Sequence, residues 1–172
     1  MAQDPVLDDL SATHPQASGA GAWALVSDRV MGGVSAGTMA RESVQGRPAI
    51  RMQGQVRLEN NGGFVQIALD LARDGGTLDA RGWQGIEFDA CGNGEVYGLH
   101  LRTPDCVRPW QSFRAQFTAG PDWQTHRLPF AAFRPHRIEA ALDTGRLRRL
   151  GVVAIGRAFA ADLAIGGLRL YG

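Results

Sequence analysis

Two runs of alternating polarity flank a glycine-rich turn in residues 86–102, which read IEFDACGNGEVYGLHLR. In the first run Ile86 and Phe88 fall on one side of an extended chain, and Glu87 and Asp89 fall on the other. Successive side chains of a β-strand point to opposite faces, so this alternation predicts a strand with one face in a core. The glycines and asparagine between the two runs are typical of a turn.

The same period of two recurs along most of the chain. Further runs lie at residues 64–69, 112–117 and 163–170, and they are separated by clusters of Gly, Asn, Asp and Pro. Many short strands with turns between them indicate an all-β protein, a jelly-roll β-sandwich. In the last run the alternation slips at Gly166-Gly167, which predicts a β-bulge.

Length and composition favour one domain. A chain of 172 residues with 44% hydrophobic residues is long enough to form one core. Residues 1–21 are rich in Ala, Ser, Asp, Gln and Pro, so we predict a flexible N-terminal tail there. A single β-sandwich domain is then expected over residues 22–172.

Charge and hydropathy exclude several classes of partner. The formal net charge of +1 gives no general attraction to nucleic acid. No stretch approaches the roughly 20 apolar residues that a membrane-spanning helix needs. The N-terminus lacks the charged segment and apolar run of a secretory signal. We therefore expect a bacterial cytoplasmic protein, peripheral to the inner membrane only through its partners.

No catalytic, cofactor or metal motif is present in the sequence. It contains no Gly-x-Ser-x-Gly, no His-Glu-x-x-His and no lysine for a phosphate-binding loop. Cys91 and Cys106 are not spaced as zinc ligands. Glu87 and Asp89 could form a carboxylate pair, but a solvated sheet face is the simpler interpretation. We predict no enzyme, no cofactor and no metal.

Polar residues lie opposite the apolar positions of several predicted strands. If these strands are neighbours, their polar sides form one mixed-charge sheet face, which can be a binding groove, with Trp110 at its edge. The alternative is an ordinary solvated face with weak cross-strand ion pairs. The residues of this predicted groove are Gln66, Glu87, Asp89, His100, Arg102, Trp110, Ser112, Arg114 and Gln116.

Three loop segments combine glycine with capping or aromatic residues. They are residues 27–35 (SDRVMGGVS), 58–64 (LENNGGF) and 123–133 (WQTHRLPFAAF). Paired glycines allow positive φ angles and close backbone approach, and Asp or Ser can cap the turn. Each segment is either a structural turn or a contact for a partner, and both interpretations stay open at this point.

Together, and in this order, the three segments resemble the signature blocks of the complex I intermediate-associated protein 30 family. The resemblance extends over residues 23–170. It implies a galactose-binding-like jelly roll, similar to certain carbohydrate-binding modules, and it brings no catalytic residue. The signature positions that match in this chain are Asp28, Met31, Gly32, Gly33, Ser35, Asn61, Gly62, Gly63, Phe64, Trp123, Pro129 and Phe130.

The resemblance implies a protein that assists assembly of the membrane arm of respiratory NADH:ubiquinone oxidoreductase (complex I). Its expected partners are membrane-arm subunits or assembly intermediates. The alternative is a carbohydrate- or small-ligand-binding module that uses the polar concave face, with weak affinity for its ligand. The sequence departs from the family pattern at Asn93 and Glu95 and over residues 135–139.

Overall fold

Two antiparallel β-sheets form the protein, described here by a computed structural model over residues 4–172. Sheet 1 has the spatial order β3-β4-β12-β6-β9, with β1 beside β12, and sheet 2 has the order β10-β8-β7-β11-β5-β2. The strands are β1 (Val6–Asp8), β2 (Trp23–Ser27), β3 (Ala36–Val44), β4 (Arg47–Val56), β5 (Phe64–Asp70), β6 (Gly85–Gly92), β7 (Val96–Arg102), β8 (Ser112–Thr118), β9 (Gln124–Pro129), β10 (Arg134–His136), β11 (Arg149–Ile155) and β12 (Phe159–Tyr171). Single 3-10 turns cover Asp28–Met31, Glu59–Asn61 and Phe130–Ala132.

The two sheets enclose one hydrophobic core, and the prediction of an all-β jelly-roll sandwich is confirmed. Across the interface the ring of Phe88 in sheet 1 meets that of Phe117 in sheet 2, with centroids 4.8 Å apart. The apolar sides of the predicted runs all face inward, as the alternation indicated. Each fully buried Leu, Ile or Phe contributes roughly 1.5–3 kcal/mol, so the core can support a sandwich of this size.

The predicted β-bulge is confirmed. The pairing of β12 with β6 shifts register between Ile165 and Gly167. At Gly166 an added Cβ would lie 2.8 Å from Cζ3 of Trp123, so the bulge makes room for that indole ring.

The turn between β6 and β7 crosses from sheet 1 to sheet 2. Asn93 holds this crossing, because its amide donates to the carbonyl of Ala160 (2.8 Å) and accepts from the hydroxyl of Tyr97 (2.7 Å). The two halves of residues 86–102 therefore belong to different sheets.

The prediction of a flexible tail over residues 1–21 is wrong for the part that the structure describes. Strand β1 pairs with the second half of β12, and Leu7 is fully buried. The carboxylate of Asp8 accepts hydrogen bonds from the backbone N–H of Leu10 (2.8 Å) and from the indole of Trp23 (2.8 Å). A few apolar anchors and one buried carboxylate fix a segment whose overall composition is polar. Residues 1–3 lie outside the described residues.

No helix within residues 4–172 is long and apolar enough to cross a membrane.

Candidate functional site

The first two signature segments meet around the carboxylate of Asp28, which is fully buried. Asp28 follows the end of β2, where the chain turns into a short 3-10 helix capped by Ser27. Its carboxylate accepts hydrogen bonds from the backbone N–H groups of Ser35 (3.0 Å), Gly63 (2.6 Å) and Phe64 (3.3 Å). The hydroxyl of Ser35 donates to the same carboxylate. One side chain therefore joins two loops that are far apart in the sequence.

Asp28 is held in its ionised form. Burial alone would raise the pKa of its carboxyl group, but the hydrogen bonds from Ser35, Gly63 and Phe64 outweigh burial and lower the pKa. Hydrogen bonds to the charged form favour that form. The carboxylate is a fixed structural acceptor with its oxygens occupied, so it is poorly placed to exchange protons with a substrate.

Glycines are required where the backbone approaches Asp28. An added Cβ at Gly33 would lie 2.4 Å from Cγ of Asp28, and one at Gly62 would lie 2.5 Å from Oδ2. Gly32 and Gly63 have positive φ angles of 86° and 134°, which L-residues rarely adopt. The signature glycines are thus explained by close packing and backbone conformation around one carboxylate.

Further hydrogen bonds hold the two loops together. The hydroxyl of Ser35 accepts from the backbone N–H of Arg57 (2.9 Å), and the amide of Asn60 donates to the carbonyl of Gly32 (3.2 Å). Asn60 and Asn61 both have a φ of 58°, a left-handed conformation that asparagine tolerates better than most residues. Hydrogen bonds therefore tie the two loops into one unit.

This unit carries exposed apolar side chains, which we call the apolar tip: Val30, Met31 and Leu58. Their exposed fractions are 76%, 60% and 50%. Val30 and Met31 lie in the 3-10 helix that begins at Asp28, and Leu58 is the first residue of the second signature segment, directly before the 3-10 turn Glu59–Asn61. Phe64 lies nearby at the start of β5, half-buried on the outer side of sheet 2 opposite Ile155. Because these apolar side chains are carried by two loops that are bonded to each other, the apolar tip is a candidate contact surface for another molecule.

The third signature segment lies elsewhere. Trp123 is half-buried against the outer side of sheet 1, where its indole donates to the carbonyl of Val44 (3.0 Å). Pro129 ends β9 at the edge of sheet 1, and the ring of Phe130 packs against that of Phe133 at 6.5 Å. Among residues 4–172, no hydrogen bond, ion pair or ring contact joins this segment to Asp28. Its signature residues instead pack against their neighbours in sheet 1 and in the following 3-10 turn.

The single polar groove predicted from the sequence is wrong, because its residues belong to two sheets. Glu87 and Asp89 lie on the outer side of sheet 1, where three arginines satisfy them. Glu87 pairs with Arg127 (2.5 Å) and Arg169 (2.5 Å), and Asp89 pairs with Arg47 (2.9 Å). The hydrogen bonds from the arginines lower the pKa of Glu87, the Arg127 bond most. These ion pairs give both carboxylates a structural role, since they link β6 to other strands of sheet 1.

The remaining strand residues of the predicted groove do share one surface, the outer face of sheet 2. Register places His100 opposite Arg114, and Gln116 opposite Gly98 on the neighbouring strands. Gln66 lies two strands away on β5, opposite Val153. Trp110, in the β7–β8 loop, is 51% exposed. The carboxylates of sheet 1 and His100 thus lie on opposite sides of the sandwich.

His100 lies flat on this face. An added Cβ at Gly98 would lie 2.8 Å from Nε2 of His100, so the glycine makes room for the imidazole. Burial lowers the pKa of His100 to about 3, and the charge of Arg114 adds to this effect. The ring is therefore neutral at pH 7.

Sequence reasoning missed several residues of both surfaces. Val30 and Leu58 were recognisable only as apolar residues in glycine-rich loops, which alone gives no reason to expect exposure. Arg134, His136 and Arg149 join the outer face of sheet 2 through register with β8 and β7, and no local pattern signals that pairing. Among residues 4–172 no three His, Cys, Asp or Glu side chains gather as metal ligands.

Solved structures with a similar fold include carbohydrate-binding modules and agarases. The chain is similar to the family 11 carbohydrate-binding module from Clostridium thermocellum in complex with a β-1,3-1,4-mixed-linked tetrasaccharide, with a TM-score of 0.74 and 16% identity over 98% of this chain and 95% of that one. A family 30 carbohydrate-binding module gives a TM-score of 0.60 and 19% identity over 78% and 73% of the two chains. The agarase AgWH50C gives a TM-score of 0.63 and 8% identity over 98% of this chain and 24% of that one. At these identities the likeness shows the fold alone.

Comparison by sequence with curated proteins finds no match. A family model does match, and it is that of complex I intermediate-associated protein 30 (CIA30), over residues 12–165. The match contains all three signature segments and both loops around Asp28. The chain belongs to the complex I intermediate-associated protein 30 family.

Proposed function

We propose that this protein is a non-catalytic binding protein that assists the assembly of respiratory complex I, and that it holds a protein partner at the apolar tip. The observation that carries the proposal is the Asp28 network, which joins two loops and holds Val30 and Met31 in solvent at 76% and 60% exposure. The role requires a cytoplasmic protein that meets the inner membrane through its partners.

The apolar tip fits a partner with apolar surface of its own. Transfer of one Val, Leu or Met side chain from water into an interface contributes roughly 1.5–3 kcal/mol. Three such residues on a rigid support can form the centre of a small interface, since pre-organised contacts lose little conformational entropy on binding. A subunit of a membrane-embedded arm presents apolar surface until its neighbours cover it, which makes an unassembled membrane-arm subunit the partner that matches this chemistry.

A deletion strain of the source organism tests the role. We expect loss of assembled complex I on native gels, restored by the wild-type protein. A variant carrying Val30→Ser and Met31→Ser should fold normally but fail to restore assembly. The matched control is Val107→Ser, since Val107 is 75% exposed and lies in the β7–β8 loop, outside the two loops that Asp28 joins. Full assembly in the deletion strain would refute the role, and full rescue by the double variant would refute the site.

A second candidate function is the binding of a saccharide or other small ligand on the outer face of sheet 2. It is supported by the polar side chains that this face presents, buried His100 and half-buried Gln66 and Arg114, and by the exposed side chain of Trp110 in the β7–β8 loop. Aromatic rings and a few fixed polar groups are the usual components of such sites. Titration with a neutral mixed-linked glucan tetrasaccharide tests it, and the absence of saturable binding to any glycan would refute it.

A further inference from the structure

Basic residues gather on the outer face of sheet 2. Register sets Arg114 of β8 directly opposite Arg134 of β10 on one side and opposite His100 of β7 on the other. In the next row Arg102 of β7 stands opposite Arg149 of β11. Directly paired residues point to the same face, so these five side chains form one surface.

Carboxylates on this face are too few to neutralise the arginines. Asp70 pairs with Arg149 (2.9 Å). The guanidinium of Arg102 donates to the carbonyls of Cys106 (3.0 Å) and Pro109 (2.9 Å), and that of Arg114 donates to the hydroxyl of Ser112 (2.8 Å). Within residues 4–172, Arg102, Arg114 and Arg134 form no ion pair with a carboxylate.

The opposite surface of the protein provides the contrast. On the outer side of sheet 1, Arg47, Arg127 and Arg169 are each paired with Glu87 or Asp89. These three arginines of sheet 1 are therefore paired with carboxylates, whereas Arg102, Arg114 and Arg134 of sheet 2 are not.

The directly opposed arginines on the outer face of sheet 2 lower the stability of the protein when no ligand is bound. Like charges directly opposite each other in a sheet are destabilising. Arg102 and Arg114 are also partly buried, and burial is the main cause that lowers the pKa of each guanidinium. A bound anion would remove both costs, because guanidinium groups bind carboxylate, phosphate or sulfate through paired, charge-assisted hydrogen bonds.

We infer that the outer face of sheet 2 is a binding site for an oxyanion-bearing small molecule, with Arg114, Arg134 and Arg102 as its cationic groups. The inference rests on the second candidate function and names the ligand class of that site. His100 adds a neutral imidazole beside the anion, able to donate one hydrogen bond. Trp110 offers a ring to the uncharged part of the ligand, on a loop that Arg102 ties to β7 through Pro109.

Titration of the full chain followed by amide NMR tests the inference, with ionic strength kept constant by sodium chloride. The probes are inorganic phosphate, trigalacturonate and the neutral mixed-linked glucan tetrasaccharide. We expect saturable amide shifts for an anionic probe at residues 98–102, 112–116, 134 and 136. Tighter binding of trigalacturonate than of phosphate identifies an acidic saccharide as the source of the oxyanion, and the reverse order identifies a free phosphate or phosphoryl group.

Two variants locate the site. Arg114→Gln should weaken binding of the anionic probe by about tenfold or more, since a charge-assisted hydrogen bond is lost. Arg134→Gln, at an exposed position of β10, should also weaken it and tests the site independently of any effect of Arg114 on folding. Arg127→Gln on sheet 1 changes the net charge equally and should leave affinity unchanged.

The outcomes separate the two ideas. Saturable binding of the neutral tetrasaccharide alone would uphold the second candidate function and overturn the oxyanion site. Equal loss of affinity in Arg114→Gln and Arg127→Gln would also overturn it, because the effect would then reflect net charge. Absence of saturable binding for all three probes would reject both ideas.

Discussion

The carboxylate of Asp28 accepts a 2.6 Å hydrogen bond from the backbone N–H of Gly63, a residue 35 positions later in the chain. This bond closes the contact between the two signature loops and holds the apolar tip in place. The contact explains why the signature positions of these two loops carry the residue types that they do. Asp28, Ser35 and the glycines support the tip, and Met31 belongs to the tip itself.

Replacement of the buried carboxylate should loosen both loops. We expect Asp28→Asn to lower the free energy of unfolding by about 2–4 kcal/mol, because an amide leaves some of the buried N–H donors without an acceptor. Urea denaturation at pH 7 measures this. Asp79→Asn, at an exposed site, should have little effect. Equal stability of the two variants would show that the network around Asp28 does not hold the fold.

Close packing against Asp28 makes Gly33 irreplaceable. A Cβ there would lie 2.4 Å from Cγ of Asp28, so Gly33→Ala must displace the carboxylate or the backbone. We expect a loss of about 1–3 kcal/mol in the free energy of unfolding, as for other overpacked sites. Gly120→Ala is the matched control, since the nearest atom would be 3.9 Å from its Cβ. A tolerated alanine at residue 33 would contradict the described packing.

The N-terminal segment is expected to contribute to stability. Leu7 is fully buried where β1 pairs with β12, so Leu7→Ala should cost about 2–5 kcal/mol in the free energy of unfolding. Val107→Ala, at a position 75% exposed, serves as control. If Leu7→Ala were neutral, the segment would be the flexible tail that its composition suggests.

Acid should destabilise the protein through His100. Its pKa is about 3 in the folded protein and about 6.5 in an unfolded chain, so the unfolded chain takes up the proton first. The stability that neutral His100 supports is present above pH 6.5 and is lost as pH falls towards 3. At pH 4.5 the loss should be about 3 kcal/mol, at about 1.4 kcal/mol for each pH unit.

Urea denaturation at pH 7 and pH 4.5 in chloride buffer checks this effect. In His100→Gln the free energy of unfolding should differ less between pH 7 and pH 4.5, by most of that amount. His126 and His136 also have lowered pKa values, mainly through burial, and they act in the same direction in both proteins. An unchanged pH difference in His100→Gln would contradict the assignment.

The strands could be predicted because alternation is a local property. Phe88, Leu99 and Phe113 face the core as the period of two requires. The assignment of a strand to one sheet or the other is not a local property, since it depends on whether the preceding turn closes a hairpin or crosses the sandwich. The turn at Asn93 crosses it, and this separates Glu87 from His100 in a way that no alternation reveals.

The candidate site was predictable only in part. Paired glycines beside Asp28 indicated a tight turn, but nothing in residues 27–35 says that its carboxylate binds Gly63. The prediction for the N-terminal segment was wrong for a related reason. Its polar composition hides Leu7, whose burial depends on a partner strand more than 150 residues away at Arg169.

Capture of the partner shows directly whether the apolar tip contacts a subunit of complex I. A photo-crosslinking amino acid is placed at residue 31 of the tagged protein in the source organism, and the crosslinked products are identified by mass spectrometry. The same group at residue 107 serves as the matched control. We expect crosslinks from residue 31 to membrane-arm subunits of NADH dehydrogenase, and none from residue 107. A folded, abundant protein that forms no such crosslink at residue 31 would show that the apolar tip does not hold this partner.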